Sequence, residues 1–364
     1  MDVHKKNIAV AMLLPQKDKP VEWTVANESK AVRRMVKKFE REAPGEVRCC
    51  YEAGPCGYAL KRTMEDMGPV VCEVVAPSLI PRKPGERIKT DRRDARKLAE
   101  LLRANMLTEV RPPTSEEESI RDLCRCREDA KEDQMRARHR LSKLLLRRGL
   151  TYTGSNTWTQ KHRQWLRSIT WDYAADQIVF DDYIRAIENI EERLRAINAK
   201  LEEFSKQAPW EESVGWLRCF RGIDTLTAMT IVAELHDFSR FHTPRELMSY
   251  LGLVPSENST GENTRKGRIT KTGNKHVRRI LIEAAWHSRH KPNVGVALRR
   301  RREGQPGDVI AIADRAQLRL HRRYWHLIMA KNKPANKAAV AVARELVGFI
   351  WSALYPRSVD GVRG

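Results

Sequence analysis

The sequence lacks the features of a membrane-spanning or secreted protein. No run of about 18 apolar residues is available to cross a bilayer, and no lipidation signal occurs. The N-terminal stretch MDVHKKNIAVAMLLP has no small-residue cleavage site, so it is interpreted as a strand rather than a signal peptide. We therefore expect a cytoplasmic, globular protein with no membrane partner, in keeping with a hydrophobic content of 41%.

Features of a disulfide-linked or zinc-stabilised protein are also missing. The seven cysteines are odd in number and lie mostly in apolar contexts, which is typical of reduced thiols. No pair of CxxC motifs has the spacing of zinc ligands. The sequence thus argues against disulfides and against a structural zinc.

The sequence has fewer acidic than basic residues. The chain has 68 Lys and Arg against 47 Asp and Glu, a formal charge of +21. Such an excess favours a polyanionic partner, with nucleic acid as the leading candidate. Between residues 262 and 333 there are 19 Lys and Arg but only 5 Asp and Glu, so two-thirds of the net charge lies in this segment.

Three successive regions are predicted, at residues 1–110, 111–210 and 211–364. The first alternates short apolar runs with helical stretches, an order that indicates an α/β fold built on a sheet. Its strands are predicted at residues 7–14, 20–26, 46–52 and 70–75. From residue 115 the pattern is almost entirely helical, and residues 335–354 form an apolar helix. The third region is expected to be mainly α-helical.

The second region carries the seam of a coiled coil. Apolar residues step by 3 and 4 in strict alternation, at Phe180, Tyr183, Ile187, Ile190, Leu194, Ile197, Leu201 and Phe204. This spacing predicts that the helix pairs with another. The partner helix can belong to the same chain or to a second copy, and the core of a plain helical bundle explains the pattern equally well.

Four acidic residues stand where a metal-dependent nuclease needs them. Asp2 precedes the first hairpin, Glu52 ends an apolar strand, and Asp91 and Asp94 lie three apart at the start of a helix. Metal-assisted cleavage of a phosphodiester requires carboxylates from different elements at one place. Functional groups also collect at the carboxyl ends of parallel strands. Alternatively, Asp91 and Asp94 favour a helix N-terminus electrostatically while Glu52 caps a turn.

The order of strands and helices, with the motifs YEAGPCGYAL and KTDRRDARKLAELLR, resembles the RuvC-like (RNase H-type) domain of the DEDD insertion-sequence transposases. The resemblance implies that Asp2, Glu52, Asp91 and Asp94 form a metal-binding tetrad for Mg²⁺ or Mn²⁺. One departure concerns the first acid, which in such domains normally ends a central hydrophobic strand, whereas only Met1 precedes Asp2. We expect the natural start to lie upstream; otherwise the strand is missing and the nuclease site is compromised.

A polar, glycine-rich and basic stretch lies between two apolar helices within residues 247–286, which suggests a loop that approaches phosphate. Ser259 is its candidate nucleophile, although from the residues alone a simple turn is the favoured explanation. The segments GLVPSENSTG and GRITKTGNKHVRRILIEAAW resemble the C-terminal transposase domain of the same family, which implies Ser259 as the catalytic serine and Ser256 as the alternative. The DNA ligands implied by this resemblance are Arg265, Lys266, Arg268, Lys271, Asn274, Arg278 and Arg279.

The stretch CFRGIDTLTAMTIVAEL resembles a helix-hairpin-helix element, in which a turn directs backbone amides at a phosphate; an ordinary turn between two helices gives the same pattern. Three histidines, His4, His236 and His276, have no partner at metal-ligand spacing in the sequence, and no catalytic role is predicted for them.

The family resemblance implies a recombinase in which the carboxylate domain and the serine loop form one composite site. It further implies a dimer or tetramer that works on donor and target double-stranded DNA with a structured noncoding RNA, the bridge RNA, as guide. Two other functions remain open. One is a RuvC-like metal-dependent nuclease that uses water as nucleophile, and the other is a non-catalytic nucleic-acid-binding protein.

Overall fold

The computed structural model describes residues 1–15, 17, 19–43, 45–81, 90–257 and 265–355. The chain divides into two compact units, Met1–Thr114 and Ser115–Gly364. The three-region division made from the sequence stays a prediction. No helix in the described part of the chain is both long and apolar enough to cross a membrane.

Among its described residues, the first unit contains five strands in two ladders. β1 (Asp2–Val3), β2 (Asn7–Met12) and β3 (Val21–Ala26) are antiparallel in the order β1-β2-β3, and β4 (Val47–Glu52) pairs in parallel with β5 (Val70–Val75). Its helices are α1 (Ser29–Glu42), α2 (Ala59–Met67) and α3 (Asp91–Arg103), with a short 3-10 turn at Pro77–Leu79. The mixture of strands and helices predicted for this part of the chain is confirmed.

The strands of the first unit bury side chains on two opposite faces, as the alternation of a β-strand requires. Ile8, Tyr51 and Val74 pack in one cluster with residues of α1 and α2. On the opposite face, Ala9 and Ala11 pack against Ala95 of α3, and Cys50 and Val75 pack against Leu98 of the same helix. Because α3 covers this second face, the side chains of its N-terminal turn lie on the same side of the strands.

The two ladders meet at the first residues of the chain. The amino group of Met1 is buried and donates a hydrogen bond of 2.7 Å to the carbonyl oxygen of Cys50, which joins β1 to β4. Beyond this bond a cavity of about 450 Å³ separates the end of β2 from the start of β4, with Val10, Met12 and Val47 among its lining residues. Asp2 is the first residue of the two-residue strand β1.

The second unit is almost entirely helical. Its ten α-helices among the described residues are α4 (Ser115–Arg147), α5 (Gln160–Arg167), α6 (Ala174–Phe204), α7 (Glu211–Leu217), α8 (Thr225–Leu235), α9 (Pro244–Tyr250), α10 (Lys275–Ala285), α11 (Val296–Arg302), α12 (Gly307–Trp325) and α13 (Ala335–Leu354). A 3-10 helix follows α10 at Trp286–Arg289, and a π-helical turn follows α12 at His326–Ala330. One antiparallel hairpin, β6 (Pro255–Glu257) and β7 (Lys266–Ile269), interrupts them. α13 begins and ends at the residues predicted from its apolar run.

The coiled-coil seam pairs within the chain. α4 and α6 run antiparallel, since Arg148 contacts Asp176, Arg138 contacts Glu191 and Arg127 contacts Asn198. The most deeply buried seam residues of α6 recur every seven positions, at Phe180, Ile187, Leu194 and Leu201. The predicted helix pairing is therefore confirmed, and its partner is the long helix α4 of the same chain.

The segment predicted as a helix-hairpin-helix element, residues 219–235, forms the turn that follows α7 and the helix α8. Gly222 has a φ of +85°, and a Cβ at this position would meet the carbonyl oxygen of Ala284, so glycine is needed in the turn. The carboxylate of Asp224 then caps α8 by accepting a hydrogen bond of 2.8 Å from the Thr227 amide. The geometry is that of a tight turn fixed between two packed helices.

Candidate carboxylate site and basic hairpin

The first turn of α3 positions Asp91 and Asp94. Thr90 precedes the helix with an extended backbone, and its side-chain oxygen accepts from the Arg93 amide at 3.4 Å. Ala95 and Leu98, the two fully buried residues of α3, lie one turn after Asp91 and Asp94 respectively. Because those two anchors face the strands, both carboxylates are carried on the side of α3 that faces the sheet.

Asp2 and Glu52 lie on the same face of the strands as α3. Asp2 is paired in register with Ala9, which packs on Ala95 of α3. Glu52 is two residues after Cys50, whose thiol donates a hydrogen bond of 3.8 Å to the carbonyl oxygen of Leu98. Since every second residue of a strand shares a face, the alternation places both acids on the α3 side.

Asp2 and Asp91, which are far apart in the sequence, come together in the structure, and His4 lies with them. The His4 Nε2 atom is 3.3 Å from a carboxylate oxygen of Asp2 and 3.6 Å from one of Asp91. The three ligand atoms lie within 4.8 Å of one another. The side chain of Asp2 is 19% exposed, whereas that of Asp91 is 66% exposed, so the cluster opens to solvent. Oxygen and nitrogen donors at this separation suit a divalent ion.

The sequence-based prediction gave His4 no role, and the structure places it at the carboxylates instead. Its second partner, Asp91, lies at the start of helix α3, so no short spacing in the sequence connects the two residues. Glu52 and Asp94 share the face of this cluster but are outside the 4.8 Å group. Glu52 is exposed, and Asp94 is half-buried.

Ser259, the candidate nucleophile, lies outside the described residues. The hairpin β6 and β7 flanks its segment, with Glu257 paired with Lys266 at the last described rungs. The alternative serine, Ser256, lies in β6, and its hydroxyl occupies the space that a side chain at Gly267 would need. Ser256 therefore lies beside its partner strand while remaining exposed.

The seven residues predicted to bind DNA divide into two groups. Four of them, Arg265, Lys266, Arg268 and Lys271, are exposed in β7 and in the residues directly before and after it. Asn274, Arg278 and Arg279 instead make contacts within the protein. The guanidinium of Arg278 donates to the carbonyl oxygens of Leu251 at 2.9 Å and Thr272 at 2.7 Å.

A buried carboxylate, Glu234 of α8, is bonded to residues on both sides of it in the fold, one on α4 and one in the segment between β7 and α10. Its side chain is 1% exposed and accepts hydrogen bonds from Arg125 of α4 at 2.7 and 3.0 Å. The amide of Asn274, the residue that caps α10, donates to it at 2.7 Å. Burial opposes ionisation of Glu234, but the hydrogen bonds and charge of Arg125 outweigh it and hold the pKa of Glu234 below its ordinary value.

A second acid continues this network along α4. Glu128 contacts the Nδ1 atom of His276 and accepts a hydrogen bond of 2.6 Å from Arg279. Arg279 also donates to Glu283 at 2.9 Å. The first turns of α10 are thus fixed to α4 and α8 by charged contacts. Asn274, predicted as a DNA ligand, has its side chain committed to Glu234 and to the Val277 amide.

Removing the Arg125 side chain should destabilise the second unit. We expect Arg125→Ala to lower the free energy of unfolding by about 2 kcal/mol near pH 7, because the buried Glu234 loses its cation. This loss of stability is smaller than that expected when a fully buried ion pair is broken, because the side chain of Arg125 is 42% exposed and solvent screens its charge. Because the pKa of Glu234 is lowered in the folded protein, its ionised carboxylate stabilises the fold at pH values above the ordinary carboxyl pKa. This stabilisation is lost as the pH falls through the lowered pKa and the carboxylate is protonated. The difference in unfolding free energy between Arg125→Ala and the parent should therefore become smaller in acid.

Urea unfolding followed by tryptophan fluorescence measures this effect, since eight of the nine tryptophans lie in the second unit. Arg136→Ala is the matched control, because Arg136 is 58% exposed on the same helix and pairs only with the exposed Asp133 among its described ion-pair partners. A loss at Arg125 that is no greater than at Arg136, or that does not shrink in acid, would contradict the role given to Glu234.

Two segments of the chain match known families of transposases. Residues 1–148 match the family model described as a DEDD transposase, and residues 216–297 match the transposase IS116/IS110/IS902 family. The chain is 41% identical over 332 residues to y4qE of Sinorhizobium fredii, whose name describes it as a transposase; the match covers 91% of this chain and 80% of that protein. It is 36% identical to the transposase for insertion sequence element IS1533 of Leptospira borgpetersenii, over 92% of this chain and 97% of that one.

The chain belongs to the IS110 family of insertion-sequence transposases. A more distant member, the transposase for insertion sequence element IS1111A of Coxiella burnetii, is 24% identical over 84% of this chain and 77% of its own length. The first family match spans all four predicted acids, and the second spans the serine segment and every predicted DNA ligand. As an IS110-family transposase, the protein is an enzyme of DNA transposition.

Proposed function

We propose that this IS110-family transposase cuts and rejoins DNA with a divalent-metal carboxylate site formed by Asp2, Glu52, Asp91 and Asp94 and with Ser259 as nucleophile. The observation that carries the proposal is the approach of Asp2 and Asp91, 89 positions apart in the sequence, to one cluster of ligand atoms within 4.8 Å. Their common face with Glu52 and Asp94 supports the remaining two assignments.

The order of the strands supports an RNase H-like fold for the first unit. The hydrogen bond between Met1 and Cys50 brings β1 beside β4, which gives the sequence of neighbours β3-β2-β1-β4-β5. Three antiparallel strands followed by a parallel pair, with helix α3 across the acid-bearing face, are the features expected of such a domain. In this arrangement Asp2 and Glu52 lie on adjacent strands.

The carboxylates would hold Mg²⁺ or Mn²⁺. Hard divalent ions take oxygen ligands, which is what the four acids supply. A bound divalent ion supplies Lewis-acid stabilisation of the charge that develops on the phosphate oxygens. The partial exposure of Asp91 leaves room for a phosphodiester to reach the same place.

The serine step is a phosphoryl transfer. The Ser259 Oγ would attack the scissile phosphorus and lose its proton, the bond from phosphorus to one sugar oxygen would break, and that oxygen would leave as a hydroxyl after taking up a proton. A hydroxyl of a second DNA end would then attack the phosphoserine ester, releasing Ser259 and joining the two DNA segments. The exposed cations Arg265, Lys266, Arg268 and Lys271 would hold the DNA backbone beside the reacting phosphate.

The partners proposed for the reaction are donor and target double-stranded DNA, a structured noncoding guide RNA, and further copies of the chain in a dimer or tetramer. A formal charge of +21 favours polyanionic partners of this kind. The cations along α4, among them Arg136 and Arg140, provide one exposed surface for RNA.

One assay tests the proposal directly. Purified protein is incubated with a donor duplex from the ends of the element and a target duplex, with Mg²⁺ or EDTA, and with or without a transcript of the flanking noncoding DNA. We expect a covalent protein–DNA adduct and joined products only when Mg²⁺ and the transcript are both present. Cleavage without an adduct would instead indicate a nuclease that uses water, and binding without cleavage a non-catalytic protein.

The exposed cations should govern how DNA affinity depends on salt. We expect Arg268→Gln to weaken binding of all duplexes to a similar degree and to reduce the slope of log affinity against log salt by about 1, since one phosphate contact is lost. Arg279→Gln is the control because its guanidinium is bonded to Glu128 and Glu283. Fluorescence anisotropy at several salt concentrations measures both. A reduced slope for Arg279→Gln with an unchanged one for Arg268→Gln would reverse the assignment.

A further inference from the structure

His4 lies beside two of the carboxylates but is not part of the proposed tetrad. Its Nε2 atom faces Asp2 at 3.3 Å and Asp91 at 3.6 Å, although it belongs to neither helix α3 nor strand β1. We propose that His4 is an additional ligand of the metal site and that it shifts the preference of the site from Mg²⁺ toward transition-metal ions. This inference rests on the proposed function, because it assumes that Asp2 and Asp91 bind an ion.

The distances are those of groups that share one ion. Ligand bonds of about 2.1 Å place neighbouring donor atoms of an octahedral site about 3 Å apart and opposite ones about 4 Å apart. The separations of 3.3 and 3.6 Å from Nε2 fall near the first value, and all three donor atoms lie within 4.8 Å. A small contraction of exposed side chains would bring the set to bonding distance, since His4 is 56% and Asp91 66% exposed.

The chemistry of the donors gives the expected preference. Carboxylate oxygens suit Mg²⁺ and Mn²⁺ alike, whereas imidazole nitrogen suits transition-metal ions, with affinity rising from Mn²⁺ to Co²⁺. Mg²⁺ usually keeps several waters and takes one or two carboxylates. An imidazole beside Asp2 and Asp91 should therefore add little to Mg²⁺ binding, more to Mn²⁺ binding and most to Co²⁺ binding.

Ion binding by the full-length protein tests this without any DNA. Isothermal titration with Mg²⁺, Mn²⁺ and Co²⁺ is compared for the parent, His4→Ala and Lys5→Ala, the last being a control for truncation of the neighbouring side chain in the same exposed segment. We expect His4→Ala to weaken Co²⁺ binding at least tenfold, on the scale of a lost metal contact. Mn²⁺ binding should weaken less, and Mg²⁺ binding should change less than twofold. Pulsed EPR of bound Mn²⁺ should show a nitrogen coupling that disappears in His4→Ala.

The two hypotheses fail in different ways. If His4→Ala weakens all three ions equally or none of them, or if the nitrogen coupling persists, His4 is not a ligand, while the carboxylate site stands provided that Asp2→Asn and Asp91→Asn still abolish ion binding. If those two carboxylate variants bind ions as the parent does, the proposed metal site itself is wrong and the assignment of His4 falls with it. Circular dichroism of each variant checks that the fold is unchanged.

Discussion

Replacing Asp91 by asparagine should reduce DNA cleavage by about 10³-fold, which corresponds to about 4 kcal/mol of lost transition-state stabilisation. Asparagine keeps the size and the carbonyl oxygen of aspartate but removes the negative charge that holds a divalent ion. Asp91 is the more exposed of the two clustered acids and lies at the start of α3, so the change should leave packing intact. Only the weak favourable interaction of an acid with the helix N-terminus, about 0.5 kcal/mol, is lost from stability.

Glu100→Gln is the matched control for this experiment, since Glu100 is an exposed acid on the same helix. Single-turnover cleavage of a labelled duplex at saturating Mg²⁺ measures both variants. We expect Glu100→Gln to cleave at nearly the parental rate. An Asp91→Asn protein that remains folded and cleaves within a few-fold of the parent would show that the carboxylate cluster is a helix-terminus feature and not a metal site.

The local patterns predicted much of the fold because each was dictated by side-chain periodicity. The run Val70–Val75 forms β5 with the predicted bounds, and the seam of 3 and 4 steps in α6 predicted its pairing with another helix. The spacing of apolar residues could not identify the partner helix, because it shows which face of α6 is buried but not which helix covers that face. That face is covered by α4, a helix whose highly charged sequence gives little sign of it.

The candidate site was predicted less completely, for two physical reasons. His4 meets Asp91 only because α3 folds back over β2, and no short-range spacing records such a contact. Glu234, by contrast, left a visible signal, because an acid in the otherwise apolar stretch of α8 must be paired when it is buried. Its partners, Arg125 and Asn274, are 109 and 40 positions away and could not be read from the sequence.

The number of positive charges in residues 262–333 does not show which of these residues are available to bind DNA. The charge of this segment indicates a nucleic-acid surface as a whole, yet the side chains of one short stretch differ in what they contact. Arg268 is exposed on β7, whereas Arg278 closes the loop after β7 by bonding two carbonyl oxygens. Burial also lowers the pKa of Arg278 from its ordinary value. Sequence alone cannot separate these roles because both residues are the same amino acid in the same polar context.

Replacing Ser259 by alanine should abolish the covalent protein–DNA adduct and strand exchange while leaving DNA binding unchanged. The reason is stoichiometric: without the Oγ atom no phosphoserine ester can form, and the energy of the broken phosphodiester bond is not retained for rejoining. Binding should survive because the exposed cations Arg265, Lys266 and Arg268 are untouched. Adduct formation is measured by the mobility of labelled DNA on a denaturing gel, and binding by anisotropy on the same samples.

Ser256→Ala is the control that this chain provides, three residues away in the same segment. The Ser256 hydroxyl lies over Gly267 of the partner strand, and Ser256 itself is exposed in β6 at the irregular step between the paired residues Pro255 and Glu257. We expect Ser256→Ala to form the adduct, with at most a small loss from a less well packed hairpin. An adduct that persists in Ser259→Ala and disappears in Ser256→Ala would transfer the nucleophile to Ser256. Loss of the adduct in neither variant would mean that the DNA is attached through another residue, and Mg²⁺-dependent hydrolysis that continues in Ser259→Ala would favour water as the attacking group.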